Sequence, residues 1–158
     1  MHKFYINAEI TNKPFGGGIK FAKYLYKFLL AKNCKIAKNL NEKDIDYIIN
    51  ISFLKYIYTS SPYSYLDVYN YKKNINPECK IITRINNTAS KGVSRTEYNN
   101  FLRSQKYCDK IIFISEYTKN QYLNFLNKKN LKNFEVIKNG ANKKYFYRKF
   151  NNSTERYK

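Results

Sequence analysis

Two periods alternate along the chain. Phe4, Tyr5 and Ile6 follow one another within residues 3–8, and aromatic and β-branched side chains in succession suit a short strand. A loop over 9–15 containing Pro14 leads into Gly16-Gly17-Gly18. The period then changes: Ile19, Ala22, Leu25, Tyr26, Leu29 and Leu30 recur at helical spacing, with Lys20, Lys23 and Lys27 on the opposite face. The opening unit is therefore strand, glycine loop, helix. Residues 34–37 suit a short second strand, and 46–52 (DYIINIS) form a continuous apolar run of the kind found in buried parallel strands. The aromatics of 53–64 fit either a packed loop or another strand. Residues 65–74 are weakly helical and end before Pro77, and 79–86 (CKIITRIN) read as a strand.

After a polar loop over 87–93, Ser94 and Glu97 make an S-x-x-E capping box, which satisfies free N–H groups and starts a helix running to about Tyr107. Residues 110–114 (KIIFI) are again a buried strand, Ser115 is placed to cap a helix over 116–127, and 134–138 (FEVIK) close on Asn139-Gly140. Strands and helices alternating in this way predict an α/β fold: a Rossmann-like, doubly wound, mostly parallel sheet with helices on both faces. One domain is expected over 1–142, followed by a basic tail or linker over 143–158 in which Tyr145, Phe146, Tyr147 and Phe150 are candidate anchors. The 158 residues suffice for one such domain but not for two side by side.

Ligands of such sheets bind beyond the carboxyl ends of the strands, which directs attention to the loops there. Gly16, Gly17 and Gly18 let a backbone approach a ligand, and the helix behind them offers free N–H groups to a phosphate. Their spacing is neither G-x-G-x-x-G nor a Walker A loop, so a plain tight turn is an equal reading. Arg84, near the end of a strand expected to be central, could clamp a phosphate or carboxylate together with Asn86, Asn87, Thr88 and Lys91. The alternative, to which the sequence alone inclines, is an ion pair with Glu9, Asp109 or Glu116. Ser115 and Glu116 could hold a ligand hydroxyl, although an N-cap and a helix-dipole acid explain them more simply. Asn139 and Gly140 complete the candidate set. His2 is the only histidine, so no Ser-His-Asp or Cys-His constellation can form in a useful place.

The chain carries 30 basic and 11 acidic side chains, a net charge of +19, which by itself would suggest nucleic acid or an anionic surface. Its 25 Lys against 5 Arg, with 22 Asn, 17 Tyr and 17 Ile, are residues of A/T-rich codons, so compositional drift accounts for much of that charge. Nucleic acid is not favoured as the partner. Cys34, Cys79 and Cys108 form no C-x-x-C pair and are read as reduced thiols, which points to the cytoplasm. No apolar run approaches the ~20 residues of a membrane span. No metal or resident cofactor is expected.

Three features in order resemble the N-terminal, acceptor-side half of a retaining GT-B glycosyltransferase of family 4. They are the unit strand, Pro14-Phe-Gly-Gly-Gly18, amphipathic helix; Ile82-Thr-Arg-Ile-Asn86 after a central strand; and Cys108-Asp-Lys-Ile-Ile-Phe-Ile-Ser-Glu-Tyr-Thr-Lys119 followed by Val136-Ile-Lys-Asn-Gly140. Ala141-Asn142 stands where the family reads Val-Asp, and a histidine common in this half has no counterpart. The resemblance covers about residues 3–146. It implies that Gly17 and Gly18 line the cleft facing a donor diphosphate, with Arg84, Asn86 and Ser115 on the side of a sugar or glycan acceptor. The nucleotide-sugar would be held by a second Rossmann-like half lying outside this sequence, so that transfer needs a donor-binding partner. The alternative is a non-catalytic module that binds an anionic glycan, lipid headgroup or nucleic acid.

Overall fold

The computed structural model describes residues 1–10, 16–51, 61–86, 105–125 and 133–140, together with 99 and 103. Six strands run parallel: β1 (Lys3–Asn7), β2 (Lys35–Ile36), β3 (Tyr47–Asn50), β4 (Lys80–Ile85), β5 (Lys110–Phe113) and β6 (Phe134–Val136). They form one sheet in the order β2-β1-β3-β4-β5-β6. Three described helices connect them: α1 (Gly17–Ala31), α2 (Tyr65–Asn74) and α3 (Glu116–Phe125). This is the expected Rossmann-like α/β architecture. The helix expected after Ser94 is described only at 99, 103 and 105, which are helical. The segment 53–60, Lys91 and the tail over 143–158 lie outside the described residues.

Strand periodicity assigns each side chain to a face. On one face, Tyr5, Ile48 and Ile81 pack with Val68 and Tyr71 of α2. Further along the same face, Ile85, Ile111 and Phe113 pack with Tyr122 of α3. On the other face, Ile6 and Ile51 pack with Ala22 and Leu29 of α1. Right-handed crossovers explain this unequal cover. The chain passes from β1 to β2 in one direction, placing α1 on one face. From β3 to β6 it moves the other way, so α2 and α3 share the opposite face. Beyond β3, α1 is the only described helix on its own face.

Helix α1 buries Ile19, Ala22 and Leu29, while Tyr26 and Leu30, read from the sequence as inward, stay substantially exposed. Leu25 packs against that core as its spacing indicates, and Phe21 joins it. The Phe21 ring lies over Arg84 of β4. Helix α2 begins at a capping box: the Ser64 hydroxyl accepts from the Asp67 N–H, and the Asp67 carboxylate accepts from the Ser64 N–H. Such a box satisfies two otherwise orphaned donors.

Asp109, from the third motif, joins β5 to its surroundings. Its carboxylate accepts from the Ile81 N–H at 2.7 Å and from Lys72 Nζ at 2.7 Å to each oxygen. Asp109→Ala leaves a strand N–H and a half-buried ammonium without their acceptor, and is expected to cost about 2 kcal/mol in denaturant unfolding. Asp109→Asn keeps an oxygen for Ile81 and is expected to cost about half as much. Equal, negligible losses for both would show that the contact does not matter.

Candidate functional site

The carboxyl ends of β1, β3 and β4 meet in a buried polar row: Asn7 is in register with Asn50, and Asn50 with Thr83. Asn7 Nδ2 donates to Asn50 Oδ1 at 2.9 Å and to the Tyr63 carbonyl at 2.8 Å, while Asn7 Oδ1 accepts from the Tyr63 N–H at 3.1 Å. Asn50 Nδ2 in turn donates to Thr83 Oγ1 at 3.4 Å. The direction of the connections reverses between β1 and β3, where sheets of this kind form a crevice. Here residues 61–63 fill the α2 side of that place, and the Ser61 hydroxyl donates to the Asn7 carbonyl at 3.1 Å.

The opening lies on the α1 side. A groove of about 730 Å³ runs over Ile49, Ile82 and Ile112, between Phe21, Tyr24 and Leu25 of α1 and the segment 137–140 that follows β6. That volume falls in the usual range for small-ligand sites. Arg84 lies in its wall. The side chain projects from β4 to the α1 face, is only 5% exposed, and stacks its guanidinium 4.2 Å from the centre of the Phe21 ring. Nη2 donates to Asn139 Oδ1 at 3.0 Å, whereas Nη1 is buried with no hydrogen-bond partner. Burial pushes the guanidinium below its ordinary pKa. Among the described residues Arg84 makes no ion pair with Glu9, Asp109 or Glu116: Asp109 is held by Lys72, and Glu116 by Lys119. Lys20 and Lys138 add positive charge, and no carboxylate appears among the lining residues.

The structure brings Gly17, Arg84, Asn139 and Gly140 together around this groove. Gly16 stands at the α1 N-cap without a capping side chain. Gly18 and Asn86 are neighbours: a Cβ on Gly18 would lie 3.7 Å from Asn86 Nδ2 and 3.3 Å from Ile51 Cγ2, so the glycine serves the close approach of α1 to the sheet. A Cβ at Gly16 or Gly17 meets nothing within 4 Å, and the glycine run has no left-handed backbone. Its absent side chains at those two positions leave open space.

Ser115 and Glu116 act locally. Ser115 Oγ accepts from the Thr118 N–H at 3.1 Å and lies 2.9 Å from Thr118 Oγ1, and Glu116 pairs with Lys119. Lys91 lies outside the described residues. Sequence reasoning missed Ile82 and Ile112, which read as ordinary strand core, Phe21 and Tyr24, which fall outside the apolar spacing of the helix, and Lys20 and Lys138, two lysines among many. Among the described residues no cluster of His, Cys, Asp and Glu is arranged to hold a metal ion, and no helix is long and apolar enough to cross a membrane.

All three cysteines are free. Burial pushes the Cys79 thiol up to about 12 and the Cys108 thiol up to about 11. At pH 8 each is then thiolate at only about one part in a thousand or less, which suits packing rather than nucleophilic chemistry. Alkylation of Cys79 and Cys108 by iodoacetamide is expected to run at least about a hundredfold slower in the folded protein than in denaturant. Peptide mapping of the labelled chain checks this, and fast labelling of either thiol under native conditions would contradict it.

No protein-family model, curated protein or solved structure matches the chain.

Proposed function

We propose that the chain is the acceptor-side half of a nucleotide-sugar-dependent glycosyl-transfer enzyme, active only with a donor-binding half. One observation carries this reading. Gly17, Arg84 and Asn139-Gly140 come from the three segments that carry the resemblance, lie far apart in sequence, and line a single groove. The reading does not depend on the chain's overall positive charge, which drift can supply.

In the reaction the bond from the anomeric carbon to the diphosphate oxygen breaks and a bond to an acceptor oxygen forms. The acceptor's hydroxyl proton passes to the leaving diphosphate. The described lining contains no histidine or carboxylate to take that proton. The role of this chain is to hold the acceptor: Arg84 offers a directed donor, and the apolar floor excludes water, strengthening that charge. We take the compartment to be the cytoplasm, where free thiols persist.

The test is to produce the chain together with a Rossmann-like donor half encoded in the adjoining or a neighbouring reading frame. Radiolabelled UDP-glucose, UDP-N-acetylglucosamine and GDP-mannose then serve as donors. Transfer is expected from the combination and from neither half alone. Full activity of the isolated chain, or none from a combination that assembles and binds donor, would contradict the reading. In the second case the chain is a binding module.

A further inference from the structure

We infer that the groove over Ile82 and Ile112 takes an amphiphile: a single apolar chain ending in an oxyanion, with the oxyanion seated on Arg84 Nη1. The inference rests on the transfer reading only in placing this amphiphile on the acceptor side of the cleft. The binding itself stands on three observations.

The first is the unused donor. A buried polar hydrogen without an acceptor is costly, and a charged one more so. Arg84 has neutral Asn139 on one nitrogen, the Phe21 ring against its face, and nothing on Nη1. Planar guanidinium donors match carboxylate and phosphate oxygens closely. The second is the sign of the walls: Lys20, Arg84 and Lys138 are present without a carboxylate. A cation would be repelled, and an anion enters unopposed.

The third is the floor. Ile49, Ile82 and Ile112 come from three adjacent strands and lie on the α1 face, where α1 is the only described helix. Each remains partly exposed, whereas Ile48, Ile81 and Ile111 on the opposite face are almost completely buried. Strands of parallel sheets are normally covered on both sides. Ile137, Leu25 and Tyr24 extend the apolar wall. A free phosphate would use Arg84 and leave this surface wet, while a neutral hydrocarbon would cover it and leave Nη1 unpaired. One ligand that answers both features carries a chain and an oxyanion. Carboxylate and phosphate heads share that chemistry.

The test uses this chain alone, without sugar donor or second half, so that failed binding and failed transfer are separate results. Dodecanoate and dodecyl phosphate, both below their micelle concentrations, are titrated calorimetrically in moderate salt, with dodecanol and inorganic phosphate as partial ligands. Saturable one-to-one binding is expected for at least one of the two anions, about tenfold or more tighter than for dodecanol or phosphate. Which anion binds better distinguishes a carboxylate from a phosphate source. Arg84→Met is expected to weaken binding about tenfold or more, to the level of dodecanol. Gly17→Leu, which adds bulk where a Cβ meets nothing, provides a second variant that preserves the buried arginine. It is expected to weaken both anions similarly. Binding unchanged in both folded variants, or inorganic phosphate or dodecanol matching the amphiphiles, would overturn the inference.

Discussion

Replacing Asn7 by leucine is expected to destabilise the protein by about 3 kcal/mol and lower its melting temperature by about 10 °C. The side chain is fully buried and its amide is hydrogen-bonded on both ends. Leucine fills a similar volume but leaves Asn50 Oδ1 and both backbone groups of Tyr63 without this partner. Each orphaned buried group costs on the order of 1–3 kcal/mol. Asn50→Leu alone is also expected to destabilise, because it takes one acceptor from the Asn7 amide and the donor from Thr83 Oγ1. The two substitutions together are expected to cost less than their sum by about 1 kcal/mol, since the double variant no longer needs the bond between them. A double-mutant cycle from urea unfolding measures this. Strict additivity with small single losses would mean that the row does not bind the three strands together.

Arg84→Met is expected to have the opposite sign. The free protein should gain about 1–2 kcal/mol, because a buried charge lacking an ionic partner is replaced by an apolar side chain of similar length. Asn139, which loses its donor, is exposed and can turn to water. Opposing the gain is the lost contact with the Phe21 ring, worth about 1 kcal/mol. Thermal unfolding in phosphate-free buffer should therefore show the variant at least as stable as the parent. The tighter-binding of the two anions should raise the melting temperature of the parent more than that of the variant, by linkage of binding to folding. A loss of more than about 2 kcal/mol in the variant would identify Arg84 as a structural group. A residue that weakens the free fold and is needed for the ligand is the usual mark of a functional site.

Much of this architecture is legible in the residues. The runs around Ile48, Ile81 and Ile111 are short, apolar and β-branched, and each became a parallel strand. Residues 65–74 became α2 with the expected bounds, and Ser64-x-x-Asp67 starts it by the same chemistry as an S-x-x-E box. Ser115 acted as the N-cap its position suggests. Less legible was the side of the sheet on which the described helices give less cover. Ile81 and Ile82 are the same residue type in the same run, yet only one is almost completely buried, and the difference comes from the direction of the crossovers. For the same reason Gly17 and Gly18 diverge: one lines the groove and the other packs against Ile51. The missing partner of Arg84 could not be read either, because whether Asp109 reaches it or Lys72 depends on which face each side chain enters.

The most direct measurement is an arginine-selective NMR titration. With only 5 Arg in the chain, 15N-arginine labelling yields a spectrum simple enough to follow each side chain, and Arg84→Met assigns the signal that matters. Whichever of dodecanoate and dodecyl phosphate binds more tightly is expected to shift the Arg84 side-chain resonances saturably, at the affinity found by calorimetry, and to slow exchange of its Nη hydrogens with water. An Arg84 signal that stays fixed while the other arginines move would contradict this and leave the groove without its oxyanion.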